Sequence, residues 1–416
     1  MDKIATYKQH LTQMENQAFE FLYELVNINS QTKNAHGVNV VGQKCIDLFA
    51  LLGFTAEIFP SQLDPTYGDY VFLTHQGESK KNIALVSHLD TVYSVEEEKN
   101  NDFFLREEGE RLYGPGVSDI KGGTIVMFMV LKTLRDKNPQ LFNKYTWHVL
   151  LNAREEDGTE EFSQLATKYI TEETQAVLVY EAGGIEAQGS NIVTARKGVA
   201  RFYMETIGRQ AHSGTDHHYG ANALLELAHK IVAIEQETCY KRGLTFNVGE
   251  AQGGVAINRV PDHAYCYIDI RTKTQEDFDF AVDFIHRFAG DGVVKSNSGD
   301  FQCKTIVKQM PSYPCWPENE GSDKLAQVFV EAGKDLGLHI DPKPRAGASD
   351  GSSFWQIAPT VDGLGPLGAN DHCSIHKPQE GKEQEYIIKS SLCERALLNV
   401  VAIEKWLDGT ASQVNE

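Results

Sequence analysis

The sequence has no long apolar run, no paired-cysteine motif and no excess of basic residues. No stretch approaches the ~18 apolar residues of a membrane span, which argues against a transmembrane protein. The seven cysteines are scattered and lack a CxxC pair, so reduced thiols are favoured over a disulfide framework. The 58 acidic and 39 basic residues give a net charge of -19, which argues against nucleic acid or an anionic membrane as the main partner.

The beginning of the chain also lacks the pattern of a secretory signal. The segment "MDKIATYKQHLTQMENQAFEFL" has neither the basic patch nor the apolar stretch of a signal peptide. Together with cysteines of the reduced type, this start predicts a cytoplasmic location.

The order of the predicted elements indicates one domain interrupted by another. Buried-type strands such as "NIALVSH", "TWHVLLN" and "QAVLVYEA" alternate with helix patterns at 3–28, 39–53, 121–135 and 160–170, which is typical of an α/β domain with a mixed, mostly parallel sheet and helices on both faces. Residues 193–307 instead follow the order β-α-β-β-α-β of a small α+β domain. A helix pattern from about 383 to 407 then resumes the first style. We therefore expect residues 1–192 and 308–416 to form one discontinuous domain around an inserted domain, 193–307.

Two segments carry the first candidate ligands. The strand "NIALVSH" ends at His88, and Asp90, two residues on, shares a face with it and can reach its imidazole. A carboxylate on the far nitrogen of a histidine is the usual way to orient a metal ligand, although a surface histidine with a chance neighbour would look the same. Asp119 precedes a glycine pair that opens a helix, where it is either an N-cap or a ligand at the carboxyl edge of the sheet.

Further acidic residues and histidines follow the next strands. Glu155 and Glu156 stand together after "TWHVLLN", and Glu181 ends "QAVLVYE". Adjacent carboxylates at a strand end repel each other, so either they lie in water or cations hold them. His372 follows a glycine-rich stretch, with His376 four residues later in an apparent surface loop. Such His, Asp and Glu ligands without thiolates suit two Zn²⁺ or related ions, with one glutamate binding metal and its neighbour acting as a base.

The motifs that carry these residues occur in the order known from one family. They are "SHLDTV", "GPGVSDIKGG", "REEDGTEE", "YEAG", "ARKG", "AHSG", "GANAL" and "GASDGSSF". The chain resembles the co-catalytic di-zinc exopeptidases and deacylases typified by glutamate carboxypeptidase, aminoacylase and succinyl-diaminopimelate desuccinylase. The resemblance covers nearly the whole chain, including the inserted domain.

The resemblance implies a role for each candidate at the sheet edge. His88 and Glu181 would hold one zinc ion, Glu156 and His372 the other, and Asp119 would bridge the two. Asp90 would orient His88, and Glu155 would be the general base. Mn²⁺ or Co²⁺ would be accepted by the same ligands. The peptide bond after Asp119 is often cis in this family.

The resemblance also implies roles outside that edge. His212 in "GRQAHSG" would polarise the scissile carbonyl from the partner subunit of a homodimer, with the inserted domain as lid and dimerisation domain. Asn258 and Arg271 match positions that hold the substrate carboxylate, although Arg271 alone would pass for a surface charge. The segment "GASDG" matches a substrate-contacting loop and contains Gly347 and Ser349.

Three functions remain open at this stage. The first is an exopeptidase of the carboxypeptidase type, which cleaves a peptide or N-acyl bond next to a free carboxylate. The second is a deacylase of N-acyl amino acids of the aminoacylase or desuccinylase type. The third, an inactive binding or scaffold dimer, is disfavoured because the predicted ligands and base are all present.

Overall fold

The computed structural model describes residues 3–186 and 189–412, and the chain divides into two compact units. The smaller unit contains Arg196–Pro317 and Ala346–Ala348, and the larger contains the rest of the chain. The chain passes from the larger to the smaller unit between residues 195 and 196. The strand Gln302–Tyr313, which contains the position 307/308, runs unbroken within the smaller unit.

The larger unit contains eight helices among the residues that the structure describes. They are α1 (Lys3–Val26), α2 (Ala35–Ala50), α3 (Val95–Asn100), α4 (Gly122–Lys137), α5 (Pro139–Lys144), α6 (Glu160–Ala166), α9 (Glu320–Leu336) and α10 (Ser391–Ser412). Its strands are β1 (Thr55–Phe59), β2 (Tyr70–His75), β3 (Asn82–His88), β4 (Arg106–Glu108), β5 (Arg111–Tyr113), β6 (Thr146–Asn152), β7 (Thr174–Val179), β8 (Gly183–Glu186), β9 (Gly189–Arg196), β15 (Ile340–Arg345), β16 (Thr360–Val361), β17 (Leu367–Ala369) and β18 (Tyr386–Ile388).

The main sheet of the larger unit has six strands in the order β1-β2-β6-β3-β7-β16. Strands β6, β3, β7 and β16 are parallel, whereas β2 is antiparallel to both of its neighbours. The predicted α/β class with a mixed, mostly parallel sheet is therefore confirmed.

The two central strands explain why this sheet forms. Every residue of β3 and of β6 is buried, as expected for parallel strands that are covered on both faces. Both strands end at the carboxyl edge of the sheet, where His88 pairs in register with Asn152. The polar residues that follow these strands therefore start from one edge.

A second sheet in the larger unit was not predicted. It has seven strands in the order β15-β9-β8-β17-β18-β5-β4, and several are only three or four residues long. Such short strands show too little alternation to be recognised from sequence. The predicted start of the last helix at about 383 was wrong for the same reason, because Tyr386–Ile388 pairs with β5 and α10 begins only at Ser391.

The smaller unit is a single five-stranded antiparallel sheet with two helices. Its elements are β10 (Gly198–Ile207), α7 (Ala223–Glu235), β11 (Thr245–Gly253), β12 (His263–Thr272), α8 (Gln275–His286), β13 (Gly290–Lys295) and β14 (Gln302–Tyr313). The strand order is β11-β12-β10-β14-β13. The predicted β-α-β-β-α-β order is confirmed, with β13 as one strand more.

Two global properties follow from the described residues. None of the described helices combines the length and the apolar character needed to cross a membrane. All seven cysteines are free thiols.

Helix α4 begins in close contact with the end of β7. A Cβ atom at Gly123 would lie 1.9 Å from the carbonyl oxygen of Tyr180, so only glycine permits this approach. The contact brings the residues on either side of it, Asp119 before the helix and Glu181 after Tyr180, to the same region of the unit.

We therefore expect Gly123→Ala to destabilise the larger unit. The added methyl group would force the main chain apart, at a cost of about 1–3 kcal/mol, and would lower the midpoint of thermal denaturation. The matched control is Gly409→Ala in α10, where nothing lies within 4 Å of the added Cβ. A Gly123→Ala protein as stable as the control would contradict the packing described for α4.

Candidate metal centre

The carboxyl edge of the main sheet collects the residues that follow its parallel strands. His88 is the last residue of β3, and Glu155 and Glu156 begin a short helical turn, Glu155–Asp157, shortly after β6. Glu181 lies two residues beyond the end of β7, which is parallel to β3. The three strand ends that were predicted to converge thus lie side by side.

Two groups of side chains at this edge have the composition of metal sites. His88, Asp119 and Glu181 form one group, and Asp119, Glu156 and His372 form the other, with the ligand atoms of each group within 4.8 Å of one another. His88 Nε2 lies 2.9 Å from Asp119 Oδ1 and 3.8 Å from Glu181 Oε1. His372 Nε2 lies 3.1 Å from Asp119 Oδ2 and 3.0 Å from Glu156 Oε2. Asp119 therefore offers one oxygen to each group.

The electrostatics of these groups fit divalent cations. Burial raises the pKa of Glu156 to about 7, and its Oε1 atom is buried without a hydrogen-bond partner. Burial lowers the pKa of His88, but its hydrogen bonds to Asp119 and Asp90 outweigh that effect and raise it well above the usual value. Hydrogen bonds from His372 and His88 likewise outweigh burial and hold the pKa of Asp119 below its usual range. The carboxylates thus attract positive charge to this edge, and an unpartnered carboxylate oxygen is left for a cation.

The two adjacent glutamates differ in their position. Glu156 belongs to the second group, whereas Glu155 belongs to neither group among the described residues. Glu155 is 8% exposed, and burial raises its pKa well above the ordinary value. A buried carboxyl group with a raised pKa beside potential metal ligands is suited to accept a proton.

Asp90 connects the histidine with the glutamate pair. Its Oδ1 atom lies 3.3 Å from His88 Nδ1 and accepts a hydrogen bond from the main-chain N–H of Glu155 at 3.0 Å. Its Oδ2 atom accepts from the N–H of Glu156 at 3.3 Å and from the Thr32 hydroxyl at 2.7 Å. The sequence predicted the contact with His88, but it gave no indication of the other three.

The turn that carries Asp119 has an unusual backbone. The peptide bond between Asp119 and Ile120 is cis, as the resemblance implies. Asp119 precedes α4 without capping it: neither its own side chain nor that of the N-cap residue Lys121 makes a capping hydrogen bond there. The alternative that Asp119 is an ordinary N-cap is therefore wrong.

The loop after β17 places His372, rather than His376, at the second group. His372 adopts a left-handed conformation with φ of 64°, which turns its ring towards Glu156 and Asp119. His376 is exposed and belongs to neither group among the described residues.

Ser349 is placed inside the larger unit. It is fully buried, and its hydroxyl donates to Asp362 Oδ2 at 2.8 Å and accepts from the N–H of Gly351. This arrangement differs from the predicted substrate contact, because the hydroxyl is already used to hold the loop. The neighbouring Asp350, for which the sequence predicts no role, is buried and accepts a hydrogen bond from Asn152 Nδ2 at 2.8 Å, and burial raises its pKa to about 7.

The other predicted substrate residues belong to the smaller unit. His212 Nδ1 accepts hydrogen bonds from the N–H groups of Gly214 and Thr215, both at 3.1 Å, so a neutral His212 carries its proton on Nε2. The N–H of Ser213 donates to the carbonyl of Asn258 at 3.1 Å, which brings His212 and Asn258 onto neighbouring segments.

Arg271 and Gly347 also have partners within the smaller unit. Arg271 donates to both carboxylate oxygens of Asp269, at 2.7 and 3.1 Å. The Gly347 carbonyl accepts from Arg196 Nη1 at 2.9 Å. A substrate carboxylate at Arg271 would therefore compete with Asp269 or share the guanidinium with it.

Two family profiles match parts of the chain. Residues 194–296 match the peptidase dimerisation domain of the M20 family, and residues 70–224 match peptidase family M28. The first match covers most of the smaller unit, and the second covers the strands and turns that carry most of the residues of the two groups.

Individual relatives match over most of their length. The chain is 28% identical to carboxypeptidase G2 from Pseudomonas sp. (strain RS-16), over 88% of this chain and 85% of the relative. It is 25% identical to a probable succinyl-diaminopimelate desuccinylase from Staphylococcus aureus (strain MRSA252), over 90% and 95% of the two chains. In fold, it is similar to a tripeptidase from Staphylococcus aureus subsp. aureus Mu50, with a TM-score of 0.72, 20% identity and coverage of 94% and 98%.

These matches agree with the motifs in the sequence and with the two groups of metal-binding side chains. The family predicted from the resemblance is confirmed, and so is the prediction of an enzyme. Over most of its length the chain is similar to peptidases and amide hydrolases of the M20 family.

Proposed function

We propose that the protein is an exopeptidase of the carboxypeptidase type that cleaves an amide bond next to a free carboxylate with the aid of two zinc ions. The observation that carries this proposal is the shared use of Asp119 by two ligand groups, while Glu155, next to Glu156 in sequence, belongs to neither group among the described residues. This arrangement is the one that a two-metal hydrolase with a separate base requires. The similarity to carboxypeptidase G2 supports the choice of bond.

In this proposal His88 and Glu181 would hold one ion, Glu156 and His372 would hold the other, and Asp119 would contribute to both sites. Bound zinc supplies a Lewis acid for the substrate carbonyl and makes water acidic enough to lose a proton near neutral pH. Glu155 would accept a proton from the attacking water and return it to the nitrogen of the leaving amine. Asp90 keeps His88 in the correct orientation and fixes the main chain of both glutamates.

The smaller unit would bind the substrate. Because His212 Nδ1 accepts two main-chain hydrogen bonds, its Nε2–H would be available to donate to the carbonyl oxygen of the scissile bond. Arg271 and Asn258 would hold the substrate carboxylate, and the loop at Gly347 would contact the substrate. We further propose a homodimer, in which His212 acts on the site of the partner subunit, and a cytoplasmic location, which the free thiols support.

A deacylase of N-acyl amino acids is the second candidate. The similarity to a probable succinyl-diaminopimelate desuccinylase and to acetylornithine deacetylase from Pectobacterium carotovorum subsp. carotovorum (strain PC1) favours it. Both reactions hydrolyse an amide, so the same ligands and base serve either one. An inactive scaffold is not supported, because the complete set of proposed ligands and the base is present.

A substrate panel in the presence and absence of metal tests the class and the branch together. We expect the release of free amine from acyl-glutamates or dipeptides, its loss after chelation, and its return with Zn²⁺, Mn²⁺ or Co²⁺. Faster turnover of N-acetyl or N-succinyl amino acids would select the deacylase. Turnover that survives complete metal removal would refute the metal-dependent mechanism.

The role of Glu155 can be separated from metal binding. Because it lies outside both ligand groups, Glu155→Gln should keep its metal content and fold while kcat falls by about 10²–10⁴-fold. The matched control, Glu156→Gln, should lose metal from the second group. Normal turnover in Glu155→Gln, or loss of its metal, would remove Glu155 from the role of base.

The contribution of the partner subunit can be tested with mixed dimers. We expect His212→Ala and Glu155→Gln proteins to be nearly inactive separately. Random mixing of the two should restore about a quarter of the wild-type activity, since half of the dimers would then contain one intact site. The absence of recovery, when mixed dimers are confirmed by mass, would indicate that each site uses its own His212.

A further inference from the structure

Glu385 is a fully buried carboxylate immediately before β18. Its Oε1 atom accepts hydrogen bonds from the main-chain N–H groups of Ser118, at 2.7 Å, and Asp119, at 3.0 Å. Its Oε2 atom accepts from the hydroxyl of Tyr93 at 2.7 Å. A buried carboxylate is costly unless both oxygens are satisfied, and here three donors meet it.

The same residue is also bonded to the loop that carries His372. The main-chain N–H of Glu385 donates to the carbonyl of Cys373 at 2.9 Å. A second connection runs from the Ser118 hydroxyl to Asp371 Oδ1, at 2.8 Å. The turn of Asp119 and the loop of His372 are therefore connected twice, once through Glu385 and once through the hydrogen bond from Ser118 to Asp371.

These contacts reach the two ligands that are least constrained by the main sheet. His88 ends a strand of that sheet, and Glu156 and Glu181 follow two others. Asp119 instead lies in a turn, and His372 lies in a loop between short strands. His372 Nε2 and Asp119 Oδ2, at 3.1 Å, must keep their separation if both are to bind one ion. Among the described residues, Glu385 is bonded to both the turn and the loop.

We propose that Glu385 is a positioning residue that sets the separation of Asp119 and His372 and thereby completes the second metal site. The inference rests on the proposed two-metal function. When the carboxylate is removed, the two main-chain amides and the Tyr93 hydroxyl lose their common acceptor, and the turn and the loop can separate. The ion held by Glu156 and His372 is then bound more weakly than the ion held by His88 and Glu181.

Metal titration of the full-length protein tests this role without reference to activity. The metal-free wild type, Glu385→Ala and Glu385→Gln proteins are titrated with Zn²⁺ alone, in competition with a chromogenic chelator. We expect Glu385→Ala to bind the first ion normally and the second about 10–100-fold more weakly, as is typical when a hydrogen-bonding partner of a metal ligand is lost. Glu385→Gln should remain within a few-fold of the wild type, because its amide oxygen still accepts from both N–H groups and its amide nitrogen can donate to the Tyr93 oxygen.

A second buried carboxylate provides the matched control. Glu404 in α10 is buried, accepts from Asn138 Nδ2 at 2.5 Å and from the Tyr7 hydroxyl, and belongs to neither ligand group. Glu404→Ala should lower the thermal midpoint and leave both zinc affinities unchanged. Unchanged binding of the second ion by Glu385→Ala, or equal weakening by Glu404→Ala, would overturn the positioning role.

The remaining outcomes also decide the question. If Glu385→Ala does not fold, Tyr93→Phe replaces it, since it removes one anchor of the same carboxylate: weaker binding of the second ion supports the proposal, and unchanged binding overturns it. Wild-type protein that binds two ions but cleaves no member of the substrate panel refutes the proposed function and leaves this test valid. Wild-type protein that binds no zinc overturns both proposals.

Discussion

The Asp90 carboxylate is 1% exposed, and it accepts hydrogen bonds from the consecutive main-chain amides of Glu155 and Glu156 while it lies against His88. Two adjacent acidic residues at the end of a buried strand would otherwise turn towards water. With the main chain of both residues fixed by Asp90, Glu156 contacts His372 at 3.0 Å, whereas Glu155 belongs to neither ligand group among the described residues. The separation of a ligand from a base thus depends on a third carboxylate two residues beyond β3.

This arrangement gathers several acids in a buried place, which is costly in the absence of positive charge. The raised pKa values of Glu155 and Glu156 have burial as their largest cause, and the raised pKa of His88 shows its response to Asp119 and Asp90. The fold bears this cost because the apolar strands β3 and β6 contribute a large buried core beneath the site. The buried residues of the sheet thus stabilise the fold, and the polar residues at its carboxyl edge are available for the proposed reaction.

The sequence predicted the elements that show a regular apolar pattern and the polar residues at the ends of buried strands. Buried runs such as β3 identified the main sheet. His88, at the end of β3, and Glu181, after β7, could be proposed as neighbours because parallel strands end at one edge. Glu385 could not be found in this way, because its role depends on contacts with residues more than 200 positions away in sequence. The second sheet was missed because its strands of three or four residues carry no readable alternation. The hydrogen bond from Ser349 to Asp362 could not be foreseen, because a motif does not reveal the direction of a side chain.

The division of the chain into two units also separates the proposed tasks. Every proposed metal ligand, together with Glu155 and Glu385, belongs to the larger unit, whereas His212, Asn258, Arg271 and Gly347 belong to the smaller one. Peptide and N-acyl bonds are both amides, so the larger unit need not change when the substrate does. In the proposed function, the groups that distinguish one acyl or amino acid from another would include those of the smaller unit. There Arg271 already donates to both carboxylate oxygens of Asp269, as it would to a substrate carboxylate. Selection among substrates would consequently depend on how readily Asp269 yields that guanidinium, a property set within the smaller unit and independent of the metal ligands.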